Sequence, residues 1–336
     1  MKIFITGVAG FIGFHLTNLL AQSGHDILGV DNLNNYYDPN LKLARLSKLG
    51  ISTDLNEPKV QSQKYKNISF SSSDVTDYNL MRSLMQDFNP DIVIQLAAQA
   101  GVRYSIENPE VYVESNVKGF FNIIELCRRL DVKRLIYASS SSVYGNQNEV
   151  PYQETDRTDE PVSLYAATKK SNELFAHTYA HLFGIKAIGL RFFTVYGPYG
   201  RPDMAYFSFV KDILNGNTIR VFNEGNLSRD FTFIDDIVQS IQRLVDDFDF
   251  ISRERGHQIF NIGNSKPIQL KRFIEIIEHS LGKKAIFENV GMQSGDVFKT
   301  FADVSSLESC INYRPSTSLD DGIVKFVNWY KQYYGE

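Results

Sequence analysis

Short apolar runs alternate with longer segments of helical character up to about residue 190. The runs have the length and composition of buried strands and cover residues 3–5, 27–30, 68–70, 92–96, 135–138 and 187–190. The segments between them predict helices over residues 11–23, 78–87, 110–130 and 164–183. Strands and helices that alternate at this spacing predict an α/β fold with a doubly wound parallel sheet, covered by helices on both faces.

The alternation of strands and helices gives way after residue 190 to loops and shorter elements. This change predicts a smaller, partly inserted C-terminal lobe. We expect one domain from residues 1–190 with parts of 230–265, and a second lobe from residues 191–229 and 266–336. Residues 47–66 lack clear periodicity and are expected to form a polar excursion after the second strand. A last helix is expected over residues 319–334, with Trp329 in its packing face.

Composition places the chain among ordinary globular proteins. It has 336 residues, of which 43% are hydrophobic and 22% charged, and a net charge of −4. A nucleic-acid partner is not expected, because such proteins normally carry a basic patch. The apolar N-terminal run is too short for a signal peptide and no stretch approaches the roughly 20 apolar residues of a membrane span, so we expect a cytoplasmic protein without membrane contact. Cys127 and Cys310 suit neither a disulfide framework nor a metal site.

Three glycines follow the first strand and open the first helix. Gly7, Gly10 and Gly13 have the spacing of a Rossmann-type dinucleotide turn, in which glycines allow a tight bend and close approach to a pyrophosphate. Asp31 ends the second strand, 18 residues after Gly13, where a carboxylate binds the adenosine ribose hydroxyls. Because this carboxylate repels a 2′-phosphate, NAD is favoured over NADP as the cofactor. The alternative is a turn aspartate beside structural glycines.

Further cofactor contacts are expected from the start of the first helix and from the ends of later strands. These positions are Phe11, Ile12, Asn32, Asp74, Val75, Leu96, Ala97 and Ala98. Asp74 has two readings, since it could lie beside the adenine or cap a helix. Asn116 falls within a predicted helix, and a buried asparagine needs hydrogen-bond partners, so we expect it to link this helix to the region of Tyr165.

Tyr165 and Lys169 are four residues apart, one helical turn, and so face the same side of a helix. A phenol with a pKa of about 10 is a poor base at neutral pH, but a fixed cation and an oxidised nicotinamide both favour the phenolate. Four serines, residues 139–142, follow the fifth strand at the sheet edge where α/β proteins bind ligands. A serine hydroxyl there could assist proton transfer, or the run could be a polar strand end.

These motifs together resemble the extended short-chain dehydrogenase/reductase superfamily over essentially the whole chain. Within it, three longer strings closely resemble nucleotide-sugar epimerases that act on UDP-glucuronate: DNLNNYYD at 31–38, LRFFTVYGP at 190–198 and GRPDMA at 200–205. The resemblance implies that Tyr165 is the catalytic base, that Lys169 orients the nicotinamide ribose and lowers the tyrosine pKa, and that Ser140 assists. It also implies a homodimer paired through the helices at 110–130 and 164–183.

The resemblance assigns the UDP-sugar to a second group of residues. Arg229 and Asp296 match positions near the phosphates and uridine ribose, with Arg201 as a further phosphate ligand. Gln293 stands where galactose-type relatives often carry arginine, so its role stays open. For the sugar and its carboxylate we expect contacts from the following side chains: Arg103, Ser140, Ser141, Ser142, Tyr165 and Thr194. Arg103 reads equally well as a surface residue.

The implied reaction is reversible inversion at C4′ of UDP-glucuronate, through a 4-keto intermediate, to UDP-galacturonate. Dehydratases and decarboxylases of the superfamily carry acidic residues where this chain has Ser141 and Ser142, which favours simple epimerisation. A UDP-glucose/UDP-galactose 4-epimerase and a UDP-glucuronate decarboxylase or dehydrogenase of the same fold remain alternatives. A non-catalytic nucleotide-sensing module is disfavoured, because Ser140, Tyr165 and Lys169 are all present.

Overall fold

A computed structural model describes residues 1–52, 58–147, 149–252, 256–291 and 299–335. Contacts divide the chain into two compact units. The first comprises Met1–Gly145, Arg157–Arg191 and Val238–Phe260, and the second comprises Asn146–Asp156, Phe192–Ile237 and Asn261–Glu336. No helix among the described ranges combines the length and the apolar character needed to cross a membrane.

The strands of both units, in chain order, are β1 Lys2–Thr6, β2 Asp26–Asp31, β3 Val60–Gln61, β4 Ile68–Ser72, β5 Ile92–Gln95, β6 Arg134–Ser140, β7 Lys186–Phe192, β8 Thr194–Tyr196, β9 Thr218–Phe222, β10 Ser228–Phe233, β11 His257–Ile262, β12 Pro267–Gln269, β13 Ile286–Val290 and β14 Lys299–Thr300. The helices are α1 Phe11–Gln22, α2 Pro39–Lys48, α3 Tyr78–Phe88, α4 Tyr104–Glu107, α5 Pro109–Tyr112, α6 Gly119–Arg129, α7 Leu164–Phe183, α8 Ala205–Leu214, α9 Ile234–Asp246, α10 Phe248–Ile251, α11 Leu270–Leu281, α12 Ser305–Ile311 and α13 Leu319–Tyr334.

The large sheet has eight strands in the order β11-β7-β6-β5-β1-β2-β4-β3. Strand β1 pairs in parallel with β2 on one side and with β5 on the other. The strand order therefore reverses at β1, because β2, β4 and β3 are added on one side of it and β5, β6, β7 and β11 on the other. The short β3 pairs antiparallel with β4 at one edge. The predicted α/β fold with a mostly parallel sheet is confirmed, and the crevice beside the ends of β1 and β5 is where such sheets bind ligands.

One continuous apolar cluster packs helices against this sheet. Phe4, Leu28 and Val93 contribute from three strands, while Met81 of α3 and Ile123 of α6 are fully buried against them. Alternate residues of a strand point to opposite faces, so the uniformly apolar strands of the sequence bury both faces of the sheet.

The helix predicted over residues 110–130 is interrupted. It consists of the short α5, a π-helical turn at Val113–Lys118, and α6. A π-helical turn inserts one extra residue into the helical repeat and often occurs at functional sites. Asn116 lies in this turn, and apolar periodicity carries no signal for such an insertion.

The polar excursion predicted over residues 47–66 is only partly correct. Its start belongs to α2, which Asp38 caps by accepting a hydrogen bond from the Asn40 N–H, and residues 60–61 form β3. Residues 53–57 lie outside the described part of the chain.

The second unit contains a sheet in which β10 pairs with β8, β12 and β14, and a parallel pair of β9 and β13. Its boundaries differ from the sequence-based ones, because residues 146–156 and 230–237 belong to this unit. Backbone bonds explain the first difference: Tyr152 N–H donates to Phe301 O at 3.0 Å, and Asp303 N–H donates to Tyr152 O at 2.9 Å. Such non-local pairing leaves no local pattern in the sequence.

Gly13 supports a stability prediction, because a Cβ atom there would lie 2.1 Å from the Gly7 carbonyl oxygen. Intrinsic helix propensity alone would make alanine better than glycine in α1 by about 1 kcal/mol. We expect Gly13→Ala instead to lower the free energy of unfolding by about 2 kcal/mol, since overpacking against backbone cannot be relieved by a rotamer change. Denaturant unfolding of the cofactor-free protein measures this. Gly291→Ala is the control: no atom of the described residues lies within 4 Å of the new Cβ, so the free energy should change by less than about 0.5 kcal/mol.

Candidate active site

The glycine turn between β1 and α1 has the geometry of a phosphate cradle. Gly7 has φ +77°, and a Cβ there would lie 2.8 Å from Ala97 N. Gly10 precedes the first turn of α1 and offers no side chain to cap the helix N–H groups. The N-terminal N–H groups of α1, which have no side-chain cap, and the positive end of the helix dipole suit an anion.

Asp31, at the end of β2, lies beside this turn. It is 8% exposed, and its carboxylate accepts hydrogen bonds from Ala9 N at 3.1 Å and Leu33 N at 2.9 Å. The structure also brings two buried cations to this place that the sequence analysis missed. Lys42 Nζ lies 3.8 Å from Asp31 Oδ1, and Arg45 Nη1 donates to Ala9 O at 2.7 Å.

These two cations come from α2. Burial lowers the pKa of Lys42, although the Asp31 carboxylate acts in the opposite direction. Lys42 and Arg45 lie three residues apart on the same buried stripe as Leu41, Leu46 and Leu49. Basic residues inside an apolar helical stripe were therefore the signal that could have identified them.

Asp74 contacts the loop after β2. Its carboxylate accepts from Asn32 Nδ2 at 2.8 Å and from Thr76 N at 2.8 Å. Burial alone would raise the pKa of Asp74, but these hydrogen bonds lower it below its usual value. The helix-cap reading is wrong, because Asp77 caps α3 through Leu80 N. The neighbouring Val75 is anchored through its carbonyl, which accepts from Asn122 Nδ2 at 3.0 Å.

Residues 96–98 follow β5 and meet the glycine turn. The Thr6 hydroxyl accepts hydrogen bonds from Leu96 N at 3.1 Å and Ala97 N at 3.0 Å. Thr6 itself donates to Gln95 Oε1 at 2.5 Å, so the ends of β1 and β5 are locked together. Leu96, Ala97 and Ala98 are half-buried at this edge.

The residues present fit a dinucleotide. The cradle would be filled by a Cβ at Gly7 or Gly13, the start of α1 presents backbone donors, and Asp31 supplies a carboxylate at the end of the next strand. A pyrophosphate needs the first two features and a ribose diol the third. The other predicted cofactor residues, Phe11 and Ile12, form the first turn of α1.

Tyr165 and Lys169 both lie in the N-terminal half of α7. Ser163 caps this helix by accepting from Ala166 N at 3.1 Å, which places Tyr165 in the first turn. Lys169 is 3% exposed. Its Nζ lies 6.0 Å from the centroid of the Tyr165 ring and donates a hydrogen bond to Ala138 O of β6 at 3.0 Å. Burial lowers the pKa of Lys169 to about 8.

Tyr112 is a residue near the site that the sequence analysis missed. It is fully buried, and its ring meets the Tyr165 ring edge-on with centroids 6.1 Å apart. Its hydroxyl lies 2.9 Å from Ala100 O and 2.5 Å from Gly101 O. Gly101 has φ +103°, and a Cβ there would lie 2.6 Å from the Tyr36 hydroxyl. Tyr112 thus contacts both the candidate base and the loop that precedes Arg103, which is itself exposed.

The four serines have different surroundings. Ser139 is buried and donates to Glu173 Oε1 at 2.7 Å. Ser140 is the next residue of β6, so its side chain leaves the opposite face of the strand. Its oxygen accepts from Ser142 N at 3.1 Å and lies 3.2 Å from Ser142 Oγ, capping the 3₁₀ helix Ser141–Tyr144. Ser141 and Ser142 are half-buried.

Asn116 makes the link expected of it. Its Nδ2 donates to Thr168 Oγ1 at 3.1 Å and to Gln99 O at 3.0 Å, and its Oδ1 accepts from Gln99 N at 2.7 Å. Thr168 precedes Lys169 in α7. The π-helical turn is therefore bonded to both the loop after β5 and the helix of the candidate base.

The second unit carries the remaining predicted side chains. Thr194 of β8 pairs with Phe231 of β10, two residues beyond Arg229, and both Thr194 and Arg229 are half-buried. Arg201 forms a bidentate pair with Asp203, with Nε 3.0 Å from Oδ1 and Nη2 2.5 Å from Oδ2. Asp296 and Gln293 lie outside the described residues.

The chemistry open to the first unit is proton transfer beside a nucleotide cofactor. A phenol, an ammonium and a serine hydroxyl come from adjacent parts of α7 and β6, at the same sheet edge as the glycine cradle. Within the described ranges no cluster of three His, Cys, Asp or Glu residues could hold a metal ion. The arrangement suits general base catalysis by a phenol beside a fixed cation.

Comparisons with known proteins agree with this geometry. The chain is 43% identical to a probable UDP-glucuronate 4-epimerase of Rhizobium meliloti over 347 residues, covering 99% of this chain and 98% of the relative. It is 43% identical to UDP-glucuronate 4-epimerase 4 of Arabidopsis thaliana, covering 99% of this chain and 76% of that protein.

Among solved structures, a UDP-glucuronic acid 4-epimerase from Bacillus cereus, in complex with UDP-glucuronic acid and NAD, matches with a TM-score of 0.88. It is 31% identical, and the match covers 99% of this chain and 100% of that one. A family model matches residues 3–263, so the chain belongs to the NAD dependent epimerase/dehydratase family.

Proposed function

We propose that this protein is an NAD-dependent UDP-glucuronate 4-epimerase, which interconverts UDP-glucuronate and UDP-galacturonate through a 4-keto intermediate. The observation that carries the proposal is the placement of Tyr165 one helical turn from the buried Lys169, whose ammonium is fixed on Ala138 O. Relatives that match over nearly the whole chain bear this name, and a structural neighbour is described in complex with this sugar nucleotide.

The protein residues act on a single proton and on the position of the sugar. Tyr165, as phenolate, removes the proton of the 4′-hydroxyl, and Ser140 bridges or shares the hydrogen bond. The ammonium of Lys169 favours the phenolate because opposite charges lower the pKa of a neighbouring acid. NAD, which the glycine turn and Asp31 would hold, would supply the acceptor for the C4′ hydride and the donor for its return to the opposite face, so that none would be consumed.

The 4-keto intermediate is a β-keto acid, which loses carbon dioxide when the breaking bond overlaps the carbonyl π system. Hydrogen bonds that hold the carboxylate out of this alignment suppress the loss. We assign this task to Ser141, Ser142 and Thr194, whose hydroxyls and nearby N–H groups can form charge-assisted bonds, which are stronger than neutral ones. Thr194 stands where galactose-type relatives usually have asparagine.

For the nucleotide we propose Arg229 as the main phosphate ligand, with Asp296 at the uridine ribose. Arg201 is a weaker candidate than the sequence suggested, since its bidentate pair with Asp203 satisfies much of its guanidinium. Phosphate binding by Arg201 would have to use its other N–H groups or displace Asp203. Arg103, on an exposed turn, is proposed only as a contact to the sugar.

We also propose that the protein forms a homodimer through α6 and α7. Large apolar side chains are exposed on these helices and on the π-helical turn before them: Val113 47%, Phe121 43%, Leu174 56%, Leu182 60% and Phe183 38%. Clustered apolar residues on one surface mark an interaction site more often than scattered ones do. A second copy of the same surface would bury them symmetrically.

The substrate is tested by incubating the purified protein with UDP-glucuronate and identifying the product sugar by NMR. UDP-galacturonate in equilibrium with substrate, without accumulation of NADH, is the expected result. Turnover of UDP-glucose alone would identify the neutral-sugar alternative, and UDP-pentose as the main product would identify a decarboxylase. No turnover of either substrate would overturn the assignment as an enzyme of this class.

Tyr165→Phe should lower kcat by at least about 100-fold, because a general base contributes on the order of 10² to 10⁴ in rate. Binding of NAD and UDP-glucuronate, measured by calorimetry, should stay within a few-fold of wild type. Tyr179→Phe is the matched control: it lies on the same helix, and its hydroxyl donates to Glu125 at 3.0 Å. Wild-type turnover by Tyr165→Phe would refute the base assignment.

Ser142→Ala and Thr194→Ala should each raise the fraction of UDP-pentose by-product, or weaken binding of UDP-glucuronate more than binding of UDP-glucose. The reason is that each change removes one donor from the substrate carboxylate, and a hydrogen bond to a charged group contributes about 1.5–3 kcal/mol. Product ratios by chromatography and affinities for the two nucleotides check this. If neither quantity changes, the two residues do not form the carboxylate site.

Leu174→Arg should shift the protein from dimer to monomer, because an unpaired charge in an apolar interface is costly to desolvate. Sedimentation velocity at several concentrations measures the shift. Phe250→Arg is the control, since Phe250 is 70% exposed and lies on a different helix, α10. A monomeric wild type, or a Leu174→Arg variant that remains dimeric, would contradict the proposed interface.

A further inference from the structure

We infer that Glu173 is a positioning residue, which fixes the serine segment (residues 139–142) against the helix of Tyr165 and thereby limits loss of carbon dioxide from the intermediate. The inference rests on the proposed function for its by-product readout. Glu173 lies one helical turn beyond Lys169 and two turns beyond Tyr165 on α7. Glu173 belongs neither to the Tyr165–Lys169 motif nor to the serine segment, so the motifs imply no role for it.

The Glu173 carboxylate is buried and fully engaged. It is 3% exposed, and its Oε1 accepts from Ser139 Oγ at 2.7 Å and from Arg191 Nε at 2.9 Å. Its Oε2 accepts from Arg191 Nη2 at 2.9 Å and lies 3.7 Å from Lys170 Nζ. One side chain therefore joins α7, the end of β6 and the strand β7, which carries Arg191.

Arg191 extends this connection to the far end of the serine segment. It is 3% exposed, and its guanidinium lies 4.8 Å from the centroid of the Tyr144 ring. Tyr144 is the last residue of the 3₁₀ helix that begins with Ser141. The segment is thus held at Ser139 directly and at Tyr144 through Arg191, with Ser140, Ser141 and Ser142 between the two anchors.

A second tie joins the same strand and helix. Lys169 donates to Ala138 O, and Ser139, the next residue of β6, donates to Glu173, the residue one turn along α7. Two bonds that are one helical turn apart resist both sliding and rotation of α7 against β6. Tyr165 lies on α7 and Ser140 lies on β6. The distance between their side chains therefore depends on how these two bonds align the helix with the strand.

The charge of Glu173 is what makes the anchor strong. Burial alone would raise the pKa of Glu173, but the hydrogen bonds and charge of Arg191 lower it below its ordinary value. Hydrogen bonds to a charged group are shorter and stronger than neutral ones, and a bidentate pair with arginine also fixes orientation. Glutamine has the same shape but presents an NH₂ group to donors, so it keeps the volume and loses the anchor.

The consequence for the reaction follows from the geometry of the 4-keto sugar. When the carboxylate is placed so that the C5′–C6′ bond overlaps the π system of the C4′ carbonyl, that bond can break. Its electron pair then forms an enolate at C4′–C5′, carbon dioxide leaves, and a proton adds at C5′ to give a UDP-4-keto-pentose. The two electrons taken from C4′ either return to that ketone as hydride or remain as one NADH per lost carbon dioxide. Serine hydroxyls that are fixed in position keep the carboxylate out of this alignment more effectively than mobile hydroxyls do.

The test compares the Glu173→Gln holoenzyme with wild type, using UDP-glucuronate and saturating NAD. We expect kcat for epimerisation to fall about 10-fold or more, since misplacement by about 1 Å costs on the order of 10²-fold. KM and NAD affinity should stay within about 2-fold of wild type. The fraction of UDP-pentose and UDP-4-keto-pentose, measured by NMR, should rise several-fold, with NADH in proportion to the ketone released.

Glu125→Gln is the matched control for loss of a buried carboxylate. Glu125 lies on α6 and is bonded by Arg128 at 2.5 Å, Arg129 at 2.6 Å and Tyr179 at 3.0 Å, none of which touches the serine segment. We expect this variant to lose stability without any change in the product ratio. An equal rise in by-product for both variants would show a general effect of destabilisation and overturn the inference.

Ser139→Ala keeps the inference testable if Glu173→Gln does not fold, because it removes a single hydrogen bond. It should raise the by-product fraction in the same direction and by less. Wild-type kcat and product ratio in every folded variant at positions 139 and 173 would overturn the inference. If wild type turns over UDP-glucose but not UDP-glucuronate, the proposed substrate is wrong, whereas the fall in kcat for Glu173→Gln with UDP-glucose still tests the anchor.

Discussion

The hydrogen bond from the buried Lys169 ammonium to the Ala138 carbonyl is the interaction on which the site depends. A desolvated ammonium without an acceptor is costly, so α7 must lie where this carbonyl can receive it. That requirement sets the position of Tyr165, one turn earlier, and of Glu173, one turn later. The Ser163 cap and the hydrogen bond from Ser139 to Glu173 further stabilise α7 in this position.

The cofactor end of the site depends on a steric constraint instead. Gly7 and Gly13 approach other backbone atoms so closely that a Cβ would overlap them, and the end of β5 packs against the same turn. Because Gly10 supplies no side-chain cap, the N-terminal N–H groups of α1 suit an anion. Asp31, whose carboxylate accepts hydrogen bonds from two N–H groups, lies at the end of β2, where a carboxylate suits a ribose diol better than a phosphate.

Each of these two places contains a buried pair of opposite charges. Lys42 approaches Asp31 at one, and Arg191 holds Glu173 at the other. Breaking a buried pair costs more than the pair contributes, because the remaining charge has no solvent to stabilise it. Such pairs therefore hold the loops and the strand end in one arrangement, which matters for a reaction whose intermediate can be lost to a side path.

The sequence by itself determined the parallel α/β sheet, the glycine turn with Asp31, and the pairing of Tyr165 with Lys169, because periodicity and short spacings are local properties. It did not determine the π-helical turn around Asn116, the second-unit location of residues 146–156, or the partners of Lys42, Tyr112 and Glu173. Those depend on contacts between residues far apart in the chain, such as Ser139 with Glu173 and Tyr152 with Phe301. Only the tertiary structure decides them, since burial and hydrogen-bond satisfaction are set by whichever elements the fold brings together.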